Sequence, residues 1–285
     1  MPTNVLTSRR AFLLGTCAWL CAGAKRSSIQ FGLEIYSLRR EAAKDLPATL
    51  DLIRRFGITE VEVPELYGRS AAELRRLLDK AGLKATAMMA PHARLARQID
   101  SVAGDARALG AEYVVCSTIP HKQKHLVLGD CNQAAEDFNR WGKTLAESGL
   151  RLCYHTHGIE FDPSPDGTLF DTLLKQCDPR WINFEMDIFW IVYAYQDPVT
   201  WLNRYPDRFP LMHVKDLRKG TPLGGSPGDV PEEASVILGQ GLVDIPATLR
   251  AAQSGGVRHY YIEDEAVDAA RQIPESLRYL RSIGW

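Results

Sequence analysis

Residues 154–161 read Tyr154-His155-Thr156-His157-Gly158-Ile159-Glu160-Phe161, two imidazoles and a carboxylate directly after the apolar run Leu150, Leu152, Cys153, Tyr154. A short apolar run that gives way to clustered polar groups marks a buried strand ending in a loop. The arrangement returns downstream: Asp187 closes Phe184-Glu185-Met186-Asp187, His213 closes Leu211-Met212-His213, and Glu263 follows Tyr260-Tyr261-Ile262. Counted from Glu160, the intervals are 27, 26 and 50 residues. A strand-helix unit of a (β/α)8 barrel averages about 31 residues, so these four side chains are expected to top strands 5, 6, 7 and 8 of one barrel.

Outward from this stretch, short β-rich runs alternate with segments of helical period, the pattern of a parallel α/β fold. Strands are expected at 30–38, 59–63, 84–89, 113–119, 150–155, 182–187, 211–214 and 259–263. Among the intervening helices, one starts after Ser70 and stops at Gly82, and others cover 93–109, 132–147, 170–176, 199–205, 245–253 and 273–283. Eight pairs favour a single-domain α/β fold, a (β/α)8 TIM barrel over residues 29–285. No GxGxxG opens a helix after the first strand, so a dinucleotide-binding sheet has no support. The 50-residue interval contains the Gly/Pro-rich stretch 219–231, an insertion after strand 7 and a candidate lid, because loops at that end hold the active site.

The chain carries 34 basic and 35 acidic residues, a net charge of -1. That balance argues against nucleic acid as a partner, since such affinity is largely phosphate neutralisation. Residues 1–24 contain Arg9-Arg10, then an uncharged apolar run to Ala22-Gly23-Ala24. They read as a twin-arginine export signal, too short for a membrane span of about 20 apolar residues. The expected partner is the twin-arginine export machinery and the expected location is periplasmic or exported. Cys17 and Cys21 would leave with the signal; Cys116 and Cys153 read as core thiols, and one disulfide among Cys116, Cys131, Cys153 and Cys177 stays open.

Period-two alternation assigns faces. Asn183, Glu185 and Asp187 point into the barrel, as do His213, Lys215 and Glu263; Glu34 and Glu62 point inward on strands 1 and 2. Buried carboxylates are costly unless paired or bound to metal, so one divalent cation is expected, Mn2+, Co2+, Zn2+ or Mg2+. Such an ion with open positions grips a hydroxy-carbonyl compound and acidifies the neighbouring C–H. Glu160, Glu263, His155, His157 and Lys215 are candidate bases. Lys215 and Asp216 pairing only with each other is the plainer alternative, and Trp190, Tyr193 and Tyr195 either pack or stack on a sugar.

At these residues the chain resembles the xylose isomerase-like TIM-barrel family of sugar phosphate isomerases and epimerases. The resemblance runs over FGLEIYSLR at 31–39, VEV at 61–63, YHTHGIEF at 154–161, FEMDIFW at 184–190, Asp197-Pro198, HVKD at 213–216, GQGLVD at 239–244 and IEDE at 262–265. It implies a metal site on Glu160, Asp187, His213 and Glu263, the four residues reached from spacing; beside it, catalysis is expected from Glu160, Glu263, His155 and Lys215, and substrate contacts from Glu34, Arg39, His157 and Trp190. The implied activity is isomerisation or epimerisation of a sugar or keto-sugar through an enediolate. The alternative is a lyase or dehydratase acting on a keto-sugar or 3-keto-glycoside; a non-catalytic sugar-binding barrel is more distant.

Overall fold

The computed structural model describes Met1 and residues 29–121, 125–165 and 167–285, so the expected export signal lies, Met1 aside, outside the described residues. Eight parallel strands close in chain order into a barrel: β1 Phe31–Glu34, β2 Glu60–Val63, β3 Lys84–Met89, β4 Tyr113–Cys116, β5 Arg151–His155, β6 Ile182–Asp187, β7 Leu211–Val214 and β8 His259–Ile262. β8 returns to β1 with Phe31 opposite Tyr260. The helices are α1 Arg39–Lys44, α2 Leu46–Arg55, α3 Ala71–Ala81, α4 His92–Leu109, α5 Leu128–Glu147, α6 Leu169–Gln176, α7 Ile188–Tyr193, α8 Pro198–Arg204, α9 Ile245–Ser254 and α10 Ala269–Ser282.

Local chemistry sets the boundaries. Ser70 Oγ accepts from Glu73 N and Glu73 Oε2 from Ser70 N, a capping box that starts α3. Gly82 ends the same helix at φ +71, a conformation that costs a side chain more than glycine. Strand 1 is shorter than the run 30–38, because Glu34 accepts from Tyr36 N and bends Ile35–Leu38 into a 3-10 turn. Strand 4 stops at Cys116 instead of residue 119: β3 has already turned at Ala90-Pro91, and β5 pairs no further than Cys116 opposite Tyr154. Helix α5 starts a turn early, with Val127 N donating to Asp130 Oδ2. Helix α7 was not foreseen; Asp187 caps it by accepting from the N–H groups of Phe189 and Trp190.

Inside the barrel the side chains form two levels. Ala87, Tyr113, Val115, Cys153, Leu211 and Tyr261 pack as one apolar cluster, with the Tyr261 hydroxyl 2.7 Å from Thr86 Oγ1. One step further along β5, β7 and β8 the inward residues become His155, His213 and Glu263. Strand register sets Glu34 beside Glu62, His155 beside Glu185, and Asp187 beside His213. The four described cysteines are buried and free.

Candidate active site

The C-terminal strand ends converge on His213. Its Nδ1 lies 3.1 Å from Glu263 Oε2 and 3.9 Å from Asp187 Oδ2. Its Nε2 lies 2.6 Å from Glu62 Oε2 and 3.4 Å from Glu185 Oε2. His155 lies beside it with the ring planes tilted by 60° and the ring centres 4.6 Å apart, its Nδ1 2.8 Å from Glu185 Oε2 and its Nε2 4.0 Å from Asp187 Oδ2. Lys215 Nζ reaches Glu263 Oε2 at 3.2 Å, pairs closely with Glu265, and lies over the rings of Phe189 and Trp190.

Burial and crowding govern the protonation states. Burial pushes Asp187 up to about 7, with Lys215 pulling the other way. Burial and then the Glu62 carboxylate push Glu34 and Glu185 well above the usual carboxylate range. Glu263 goes the other way: burial opposes its charge, but Lys215 and His213 hold it well below that range. The reverse balance raises His213, whose neighbours Glu185 and Glu263 outweigh its burial. His155 is driven well down by burial and by His213, and His157 falls to about 4, mainly through burial. Lys215 is held as an ammonium, because Glu263 and Glu265 outweigh its burial.

Five buried carboxylates, Glu34, Glu62, Glu185, Asp187 and Glu263, thus face one ammonium and one protonatable imidazole of raised pKa. Oxygens of four of them, Glu34 Oε2, Glu62 Oε1, Glu185 Oε1 and Asp187 Oδ2, are buried without a hydrogen-bond partner. Buried, unpaired carboxylate oxygens are costly, and a cation removes that cost. The geometry suits one: ligand atoms of His155, Asp187 and His213 lie within 4.8 Å of one another, and so do those of Glu34, Glu62 and His213. Tetrahedral donors about 2.0–2.2 Å from a common ion stand about 3.3–3.6 Å apart, a spacing bracketed by the 3.1, 3.9 and 4.0 Å separations around His213 Nδ1 and Asp187 Oδ2.

The xylose isomerase-like TIM barrel profile matches residues 50–283. The chain belongs to the xylose isomerase-like TIM barrel family. Among curated relatives it is similar to the inosose dehydratase of Lacticaseibacillus casei, 24% identical over 186 residues, covering 59% of this chain and 61% of that protein. The chain thus spans about three fifths of the length of that relative. Its fold is similar to that of a sugar phosphate isomerase/epimerase from Parabacteroides distasonis, TM-score 0.74 at 24% identity, covering 93% of this chain and 97% of that one. It is also similar to the IolI protein, solved with a bound zinc atom, TM-score 0.66 at 13% identity, covering 90% and 96%.

The family resemblance implied Glu160 as the strand 5 ligand, but the carboxylate is engaged elsewhere. Glu160 lies in the 3-10 turn Ile159–Phe161 and accepts from the Tyr154 hydroxyl at 2.5 Å and from His157 N. Tyr154 belongs to the helix-facing side of β5, stacked on Phe138 of α5. Strand 5 brings His155 to the cluster instead; neither of the two candidate ligand sets contains Glu160 or Glu263, but Glu263 Oε2 stands 3.1 Å from His213 Nδ1, whereas both Glu160 oxygens accept from groups outside the cluster. Asp216 does not pair with Lys215: its carboxylate accepts from the N–H groups of Leu217, Gly239, Gly241 and Val243 and so pins the GQGLVD loop. A Cβ at Gly241 would stand 2.1 Å from Asp216 Oδ1, so only glycine fits that approach.

Above the charged level lies a cavity of about 280 Å3 walled by Tyr36, His155, His157, Trp190, Glu263 and Glu265. Arg39 stays at its edge, bonded to the Glu265 carbonyl and to Glu232, with its guanidinium over the Tyr36 ring. The stretch after β7 runs beside this region: Leu223 O accepts from the Tyr195 hydroxyl, Gly224 N donates to Tyr193 O, and Glu232 binds Arg39 and Arg40. Glu62 and Glu185 read from sequence only as inward-facing; their partnership with the imidazoles had no local signal.

Proposed function

We propose that the chain is a divalent-metal-dependent enzyme that removes a proton from the carbon next to the carbonyl of a sugar or keto-sugar, as an isomerase or epimerase. The observation that carries this reading is the charged level: unpartnered buried carboxylate oxygens packed beside two imidazoles, with His155 and Glu263 of that level lining a cavity of about 280 Å3. We assign the cation to His155, Asp187, His213 and Glu263, in place of a set containing Glu160. When bound, it would polarise the substrate's vicinal oxygens and acidify the C–H. The mixed imidazole and carboxylate donors suit Mn2+, Co2+ or Zn2+, with Mg2+ the poorest match.

The chain's own groups then divide the remaining work. Lys215, fixed as an ammonium by Glu263 and Glu265, sets a positive charge beside the reacting centre, where it offsets charge developing on oxygen. It is therefore no base. Glu263 is the better proton acceptor: Oε2 is taken by His213 and Lys215, while Oε1 makes neither bond and the residue lines the cavity. His155 is committed on Nδ1 to Glu185. His157 and Trp190 wall the cavity, the indole offering an apolar face to a sugar ring.

A dehydratase is the second reading, favoured by the similarity to inosose dehydratase. It shares the proton abstraction and then expels a neighbouring hydroxyl. Incubating metal-reconstituted protein with keto-sugars, inososes and 3-keto-glycosides in heavy water separates the two. Carbon-bound deuterium in a saturated product supports the isomerase, and an unsaturated or water-depleted product supports the dehydratase. No turnover or exchange on any of them counts against both. Export through the twin-arginine route belongs to the proposal, and is checked by whether Arg9→Lys with Arg10→Lys holds the protein in the cytoplasm.

A further inference from the structure

The two imidazoles share one pattern. His213 turns Nδ1 toward Asp187 and Glu263 and Nε2 toward Glu62. His155 turns Nε2 toward Asp187 and Nδ1 toward Glu185. An imidazole that binds a cation through one nitrogen carries its proton on the other, and a carboxylate behind that N–H fixes both tautomer and ring orientation. Glu185 plays that part for His155 at 2.8 Å. For His213 two carboxylates compete, Glu62 at 2.6 Å and Glu185 at 3.4 Å, and only the first is within hydrogen-bond length.

We infer that Glu62, 151 residues from His213 in the chain and across the barrel lumen, is a positioning residue: it holds the Nε2 proton of His213, so that Nδ1, which meets Glu263 Oε2 at 3.1 Å in the ion-free chain, is the nitrogen that yields its proton to a cation beside Asp187 and Glu263. The inference rests on the cation site proposed above. Glu62 is well placed for this, fully buried on β2 and in register with Glu34. Glu34, Glu62 and His213 also form the second candidate ligand set. Filling both sets at once would require His213 to offer both nitrogens to ions and give up the proton that Glu62 now accepts. The 2.6 Å contact is already a complete hydrogen bond, so we assign Glu62 to positioning and not to a second ion.

Cobalt titration of the full chain tests this, using Glu62→Gln and Glu62→Leu beside the parent. Glutamine keeps an oxygen that accepts from Nε2–H, whereas leucine keeps none. The expected result is about one Co2+ per chain in all three, with affinity lower by about 10-fold for Glu62→Gln and about 100-fold for Glu62→Leu. The visible Co2+ band should shift in the leucine variant while far-ultraviolet circular dichroism stays unchanged. Should Glu62→Leu fail to fold, Glu62→Gln decides: a weaker site with the parent's stoichiometry supports the inference, and parental affinity overturns it. Two ions in the parent and one in the variants also overturn it, making Glu62 a ligand. A parent that binds about one ion, with unchanged affinity in Glu62→Leu, removes this inference alone; a parent that takes up no cobalt removes the proposed function with it.

Discussion

Along β5, β7 and β8 the inward side chain changes character in one step of the pleat: Cys153, Leu211 and Tyr261 lie on the apolar level, His155, His213 and Glu263 on the charged one. Both levels are shut off from bulk water, yet they meet burial by opposite means. The lower level holds no charged group: it pairs the Tyr261 hydroxyl with Thr86 and leaves only the neutral Tyr113 hydroxyl unpartnered among its described side chains. The upper level keeps five carboxylates, several with oxygens that find no partner. Packing accounts for the first. The second needs a reason outside packing, and a cation at the mouth supplies one.

The comparison breaks most sharply at Lys215. Lys215→Leu leaves Glu263 buried without its ammonium and should destabilise the metal-free protein by about 3–5 kcal/mol, read as the denaturant midpoint; a divalent ion should restore part of that loss. On the lower level, Leu211→Ala should cost about 2–5 kcal/mol through the cavity it leaves, with no recovery on adding metal and no change in ion stoichiometry. Glu160→Gln should cost about 1–3 kcal/mol, because it weakens the bond to buried Tyr154, and should leave metal content as in the parent. Metal loss in that variant would return Glu160 to the site.

Acidity sharpens the contrast further. The folded pKa of Asp187 is raised from 3.8 to about 7, so the folded, metal-free chain binds more protons than the unfolded chain between those values. Its contribution to stability is therefore full below pH 3.8 and is lost as the pH rises toward about 7. His155 and His157, depressed in the fold, push the opposite way, so the quantity to measure is the difference from Asp187→Asn. The parent should lose stability relative to that variant as the pH rises from about 4 to about 7; a flat difference would contradict the assignment. The smallest effect belongs to Glu232→Ala: with Glu232 37% exposed, its pairs with Arg39 and Arg40 should contribute at most about 1 kcal/mol, while protease cutting in 219–231 should quicken.

Much of this architecture was readable in the sequence, for a definite reason. The runs 84–89, 182–187 and 211–214 are short, apolar and bounded by breakers, and period-two alternation then assigned Glu185, Asp187, His213, Lys215 and Glu263 to the interior. Where the chain leaves the pleat that rule lapses. Glu160 sits in a 3-10 turn beyond β5, and its direction is set by the Tyr154 hydroxyl, a tertiary contact with no sequence period. Glu62 was legible as inward, but its bond to His213 joins strands on different sides of the barrel and leaves no local trace. Helix α7 was hidden because Ile188–Tyr193 follows β6 without a break, and Asp187 both ends the strand and caps the helix.

The most direct test of the cation at the barrel mouth is elemental mass spectrometry of the parent beside Asp187→Ala at equal folded yield. We expect about one divalent ion per chain in the parent, lost in the variant, since Asp187 Oδ2 is the buried, unpartnered oxygen that His155 and His213 both face. A parent that holds no metal even after reconstitution, or a variant that holds as much as the parent, would contradict the account.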